Sequence, residues 1–182
     1  MIFDDTSIPG VVRIHGARHV DRRGSFERLF CAESFAAAGL EQTFLQTSLS
    51  RSRRVGTLRG MHLQAAPREE VKIVRCLVGR IYDVVADLRP WSPTYLRWEA
   101  HVLGQGDGAL YVPRGVAHGF QTLTAGAEVL YEISEPFAPE LSIGVRYDDP
   151  SLSIAWPLPP VNVSDRDLAF PLLGLRAEAR AS

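Results

Sequence analysis

Residues 71–78 (VKIVRCLV) and 81–88 (IYDVVADL) are two apolar-rich runs joined at Gly79-Arg80, and the pattern reads as two strands with a turn between them. In the second run Asp83, Val85 and Asp87 share one face, opposite Tyr82, Val84 and Ala86. Two carboxylates on one face of an otherwise apolar strand imply a polar lumen or a solvated outside. Short strands continue at 98–103, 109–112, 116–120, 128–133 and 142–147, punctuated by Pro90, Pro93, Gly106, Gly108, Pro113 and Gly115. Upstream, strands are expected at 11–14, 19–20, 25–30 and 43–50, with Asp21-Arg22-Arg23-Gly24 as a turn. The clearest helix is 32–38, Ala-rich and stopped by Gly39. Five prolines between Pro150 and Pro171 predict a tail that wraps without regular elements. Many short strands at turn-punctuated spacing mean an all-β sandwich or barrel. With no linker and no repeat, one domain is expected over 1–182.

The stretch Gly56-Thr57-Leu58-Arg59-Gly60-Met61-His62-Leu63-Gln64 sets an imidazole and a guanidinium on one strand. Alternation would send Arg59 and His62 to opposite faces, while His62 and Gln64 share one. Gly60 is the natural place for a bulge that re-aims a side chain. Read alone, the stretch is equally a half-buried strand with a surface arginine and a satisfied histidine.

Composition narrows the classes. The chain has 182 residues, 46% of them hydrophobic, and a formal net charge of -1, which argues against a general nucleic-acid or membrane-surface binder. No apolar run reaches membrane-spanning length, and Met1-Ile2-Phe3-Asp4-Asp5 is acidic where a secretory signal would be basic. Cys31 and Cys76 are too few for a disulfide framework or a cysteine zinc site. A reduced, cytoplasmic protein is expected. Lys72 is the only lysine among 20 basic residues, so it persists against a strong arginine bias. The run Arg51-Ser52-Arg53-Arg54 reads as a solvated loop.

Gly60-x-His62-x-Gln64 and Pro113-x-Gly115-x-x-His118 resemble the two halves of a cupin barrel. Metal-binding cupins carry His-x-His and a Glu in the first half. Here Gln64 takes the second histidine's place, and a neutral amide is a poor ligand for a transition metal. Glu69 or Glu70 would add a carboxylate to a thin set. No metal and no cofactor is expected.

A more specific resemblance rests on motifs in order: Asp21-x-Arg23-Gly24-x-Phe26, Leu58-Arg59-Gly60-Met61-His62-x-Gln64, Lys72-Ile73-Val74-Arg75 and Asp83-Val84-Val85-Ala86-Asp87-Leu88-Arg89. They continue with Ser92-Pro93-Thr94, Pro113-x-Gly115-x-Ala117-His118-Gly119-Phe120, Asp148-Asp149-Pro150, Trp156-Pro157 and Ser164-Asp165-Arg166-Asp167. From Pro9 to about Pro171 the chain resembles the dTDP-4-dehydrorhamnose 3,5-epimerase family. That resemblance implies a cupin-type β-barrel, or jelly roll, with short peripheral helices. It implies a homodimer acting on a nucleotide-sugar substrate in deoxysugar biosynthesis.

In such chemistry a C4 ketone acidifies the C–H bonds at C3 and C5. Inversion needs a base on one face of the sugar, stabilisation of the enolate oxygen and an acid on the other face. By resemblance His62 is the base, Asp167 orients its imidazole, Tyr131 is the acid and Lys72 stabilises the enolate. A strand-edge lysine that discourages aggregation is the plainer reading of Lys72. The resemblance places Arg23, Phe26, Gln46, Ser48, Arg59, Gln64, His118, Phe137 and Arg166 against the substrate. Arginine forks suit phosphate oxygens, and Phe137 would stack on the nucleobase. His15, His19 and His101 fall outside the motifs, Asp83 and Asp87 suit structural roles, and Trp91, Trp98 and Trp156 read as packing residues.

The family carries Glu at Arg28, Asn at Ser48, Glu at Ser142 and Tyr at Phe137. These departures gather on the nucleotide side and leave His62, Tyr131, Lys72 and Asp167 intact. Nucleobase preference, and inversion at C3, C5 or both, stay open at this level. Two other readings are a metal-dependent cupin oxygenase and a non-catalytic sugar-nucleotide binding module.

Overall fold

The computed structural model describes residues 1–174, so residues 175–182 of the expected domain lie outside the described residues. Thirteen strands dominate: β1 Ile2–Asp5, β2 Val12–His15, β3 Arg18–Asp21, β4 Gly24–Glu27, β5 Gln46–Ser52, β6 Leu58–Gln64, β7 Lys72–Val78, β8 Arg80–Asp87, β9 Trp98–Gly104, β10 Ala109–Val112, β11 Val116–Thr122, β12 Ala127–Ile133 and β13 Ser142–Gly144. Among the described residues the short helices α1 Ala32–Ala37 and α2 Asp165–Leu168 accompany them, with a 3-10 turn at Pro139–Leu141. The all-β jelly-roll expectation holds.

Six strands form one antiparallel sheet in the order β1-β2-β10-β7-β12-β5. Five form the second, β13-β6-β11-β8-β9, and β3 and β4 make a separate hairpin. Between the sheets lies an apolar cluster that includes Val74, Cys76, Val85, Leu110, Val112, Phe120 and Val129. Outside the six-stranded sheet Ile14, Ile73 and Tyr111 pack with Phe35 of α1, whose ring is edge-on to Phe3 at 5.2 Å. Outside the five-stranded sheet the tail covers Met61, Val84 and Ala86 with Val145, Leu152, Ile154 and Trp156. Both sheets therefore bury parts of both faces, which explains why β7 and β8 are apolar-rich rather than cleanly alternating.

Asp83, Val85 and Asp87 do share a face, and it is buried. Asp87 accepts hydrogen bonds from Arg89, Ser92 and Thr94 and so ties down the loop after β8. Strand β4 ends at Glu27, short of the expected 25–30, whereas β5 extends through Arg51 and Ser52. The tail is not wholly irregular. Ser164 caps α2 by accepting the Asp167 N–H at 3.1 Å, a serine three residues before an acid. Trp98 and Trp156 pack against the outer cluster. Trp91 does not pack: it is 79% exposed, against expectation.

Candidate active site

The bulge expected at Gly60 is present. His118 of β11 lies opposite His62, but Phe120 lies opposite Arg59, so the register slips between them. Gly60 has φ +136°, and a Cβ there would sit 2.5 Å from the Gly119 Cα, so only glycine fits. The slip brings Arg59 and His62 to one cavity, which alternation alone would forbid.

That cavity measures about 660 Å³. The six-stranded sheet contributes Ser48 from β5, Lys72 from β7 and Tyr131 from β12. The five-stranded sheet contributes Arg59 and His62 from β6 and His118 from β11. Phe137, Ser142, Arg166 and Asp167 also line the cavity. His62 and Tyr131 thus approach the same space from opposite sheets.

Asp167 holds His62: the imidazole Nε2 lies 2.7 Å from its Oδ1, and the Gly60 N–H donates to its Oδ2 at 3.2 Å. Burial would raise this carboxyl's pKa, but the His62 bond, with help from Gly60 and Ser164, keeps it below the usual range. A second pair faces it, with His118 Nε2 2.6 Å from Asp83 Oδ1. The His118 ring stands edge-on to Tyr131 at 5.8 Å. Burial pushes the Tyr131 phenol far above its ordinary pKa, with the Asp83 charge adding and Arg59 opposing. The phenol keeps its proton at neutral pH. Lys72 Nζ contacts Glu70 Oε1 at 2.7 Å and donates to the His62 carbonyl at 3.4 Å. Lys72 sits on an internal strand and is buried, so the strand-edge reading fails.

The structure brings together His62, Tyr131, Lys72, Asp167, Ser48, Arg59, His118, Phe137 and Arg166. Four expected residues stand elsewhere. Gln64 is buried and spends its amide on the carbonyls of Arg68 and Pro136 and the N–H of Ala138. It clamps the segment that carries Phe137 rather than touching the cavity. Gln46 starts β5, outside the cavity lining, with its Oε1 buried and unpartnered. Arg23 and Phe26 ride on the β3–β4 hairpin and line a different hollow with Val20 and Asp21. Arg28 also lies off the main cavity, against Met1, His19 and Phe26.

Sequence reasoning missed other lining residues. Arg51, Ser52 and Arg53 also line the cavity: Arg51 and Ser52 end β5, while Arg51, Arg53 and Arg54 are exposed as expected. Ser48, Ser50 and Ser52 alternate along β5, a period-2 signal that was present in the sequence. Glu70, considered only as a metal ligand, is the partner of Lys72. Ser142 accepts a 2.6 Å hydrogen bond from the Arg166 guanidinium.

The family model for dTDP-4-dehydrorhamnose 3,5-epimerase matches residues 5–174. A dTDP-4-dehydrorhamnose 3,5-epimerase from Sinorhizobium fredii is 38% identical over 175 residues, covering 95% of this chain and 90% of its own length. Among solved structures, a 4-keto-6-deoxy sugar epimerase from the novobiocin biosynthetic gene cluster of Streptomyces spheroides superposes with TM-score 0.93 at 35% identity, covering 99% and 91% of the two chains. A 3'-monoepimerase from Streptomyces bikiniensis, solved with dTDP-quinovose, gives TM-score 0.89 at 35% identity, covering 96% and 89%. Neither the oxygenase nor the binding-module reading is favoured by these likenesses. With its barrel, its bulged β6 and its His62–Asp167 pair in place, the chain belongs to the dTDP-4-dehydrorhamnose 3,5-epimerase family.

Proposed function

We propose that the protein inverts the carbons flanking the C4 ketone, C3, C5 or both, of a dTDP-linked 4-keto-6-deoxyhexose. The observation that carries this reading is that His62 and Tyr131 enter one cavity from opposite sheets. A sugar ring lying between them meets a base on one face and an acid on the other, which inversion requires.

His62, held by Asp167, takes the proton next to the ketone, and the carboxylate stabilises the imidazolium that forms. Negative charge then develops on the C4 oxygen, and the Lys72 ammonium offsets it. Tyr131 delivers a proton to the opposite face. Arg59 and Arg166 suit the diphosphate, His118 the sugar, and Phe137, 54% exposed at the cavity wall, offers a stacking face to the base. Ser48 and Ser142 set the hydrogen-bonding around the nucleotide.

A homodimer belongs to the same reading. The β3–β4 hairpin carries Arg23 beside Val20 and Phe26, which are 74% and 72% exposed. A second copy would cover that apolar surface and give Arg23 and Phe26 a site to reach. A cytoplasmic setting fits Cys31 and Cys76 as free thiols. Among the described residues no helix is long and apolar enough to cross a membrane.

The test is incubation with dTDP-4-keto-6-deoxyglucose in deuterated water. Label at C3, C5 or both, read by NMR together with inverted product, is expected. Tight binding with no label at either carbon would contradict the proposal.

A further inference from the structure

Lys72 is buried in the wall of a cavity rich in basic side chains. Across the cavity stand His62, His118 and Arg59, with Arg51, Arg53 and Arg166 further along its wall. Two carboxylates line the cavity among the described residues, Asp167 and Glu70. Asp167 is taken by His62, and Asp83, behind the wall, is taken by His118. Glu70 is therefore the carboxylate left for the lysine, and it meets Nζ at 2.7 Å with both side chains about nine-tenths buried. Tyr131 is the remaining titratable side chain of the wall and keeps its proton.

The donor count is informative. An ammonium has three N–H donors and no acceptor. Glu70 takes one, and the His62 carbonyl, at 3.4 Å, takes a second. One donor remains for a ligand oxygen. The same carbonyl couples the lysine to the residue that carries the imidazole. A long, flexible side chain held at two points has little rotamer freedom left to lose when charge appears beside it. Preorganisation of this kind is what makes a donor effective toward developing charge.

We infer that Glu70 is a positioning residue, which anchors the Lys72 ammonium so that its third donor is presented to the oxygen of the enolate. Its catalytic consequence rests on the epimerase reading proposed above; the anchoring does not. Glu70 acts through Lys72, so its removal disturbs the chemical step rather than nucleotide binding. A misplacement of the order of 1 Å costs about 10²-fold in rate.

Because Lys72 is the only lysine, full-length protein labelled with 13Cε-lysine gives one methylene resonance. Its relaxation would be measured in the parent and in the Glu70→Ala and Glu70→Gln variants, alongside kcat, KM and dTDP affinity. The expected result is a rigid methylene in the parent and a mobile one in Glu70→Ala. In that variant kcat should fall about 10²-fold, with dTDP affinity within about twofold of the parent. Glu70→Gln has nearly the same shape and keeps an acceptor oxygen, so it should recover part of both the rigidity and the rate. It also decides the matter if the alanine variant fails to fold. An equally rigid methylene in both variants would overturn the anchoring. A mobile methylene with parental kcat would overturn its role in the reaction. Should no epimerisation be found in the parent, the relaxation comparison still stands, and the two failures are told apart.

Discussion

At the residue scale the site is a set of histidines whose free choices have been removed. His62 is fixed by Asp167 and His118 by Asp83. Phe137 is positioned differently, through the backbone, because Gln64 holds the carbonyl of Pro136 and the N–H of Ala138 on either side of it. The ring thus presents its face without needing its own buried contacts. Phe137→Ala is expected to weaken dTDP binding by about 1–3 kcal/mol, the scale of base–aromatic stacking. Isothermal titration with dTDP checks it; an unchanged affinity would remove Phe137 from the nucleotide site. The residues at the reacting end were legible in the sequence because their types match what the chemistry needs. Gln64 was not: the motif placed it against the substrate, and only tertiary contacts show that its hydrogen bonds go to neighbouring backbone.

At the element scale two features decide whether the site exists. One is the bulge at Gly60, which was readable because glycine inside a strand carries positional meaning. The other is the tail. Its prolines suggested an irregular wrap, whereas Ser164 caps the short helix α2 that delivers Asp167. Alternation along β5 was also legible, yet the arginines at 51, 53 and 54 made its end resemble a loop. The loop after β8 shows how buried charge stabilises an element. Burial works to raise the Asp87 pKa, but donation from Arg89, Ser92 and Thr94 depresses it well below the ordinary range. A carboxyl depressed in the folded state contributes stability above its unfolded pKa of about 3.9 and loses it as pH falls toward the folded value. Asp87→Asn should therefore destabilise the protein at pH 7 by about 3 kcal/mol, because Arg89 loses its buried partner. The difference from the parent should shrink as pH drops below about 4. Urea melts at pH 7 and pH 3 check this, and a gap that does not change with pH would contradict it.

At the scale of the whole molecule, the jelly roll sets one sheet against the other and leaves a cavity open to residues from both. Its all-β character was plain from the sequence, since turn residues punctuate short apolar runs. The pairing order of strands was not, because neighbours such as β7 and β12 are far apart along the chain. No metal is expected, since Gln64, which stands where metal-binding cupins carry a histidine, spends its amide on backbone. Turnover should survive prolonged EDTA treatment. Loss of turnover that one specific ion restores would contradict that.

The central claim is that base and acid work from opposite sheets, and the Tyr131→Phe variant tests it most directly. The substitution removes one hydroxyl and keeps the ring against His118. In deuterated water, with label and configuration at C3 and C5 read together by NMR, His62→Ala should show neither exchange nor inversion. Tyr131→Phe should still exchange, since His62 and Lys72 remain to form the enolate. Its inversion should fall by about 10²–10⁴-fold, the usual contribution of a general acid, so that label enters mainly with retention. Inversion by Tyr131→Phe at the parental rate would contradict the account.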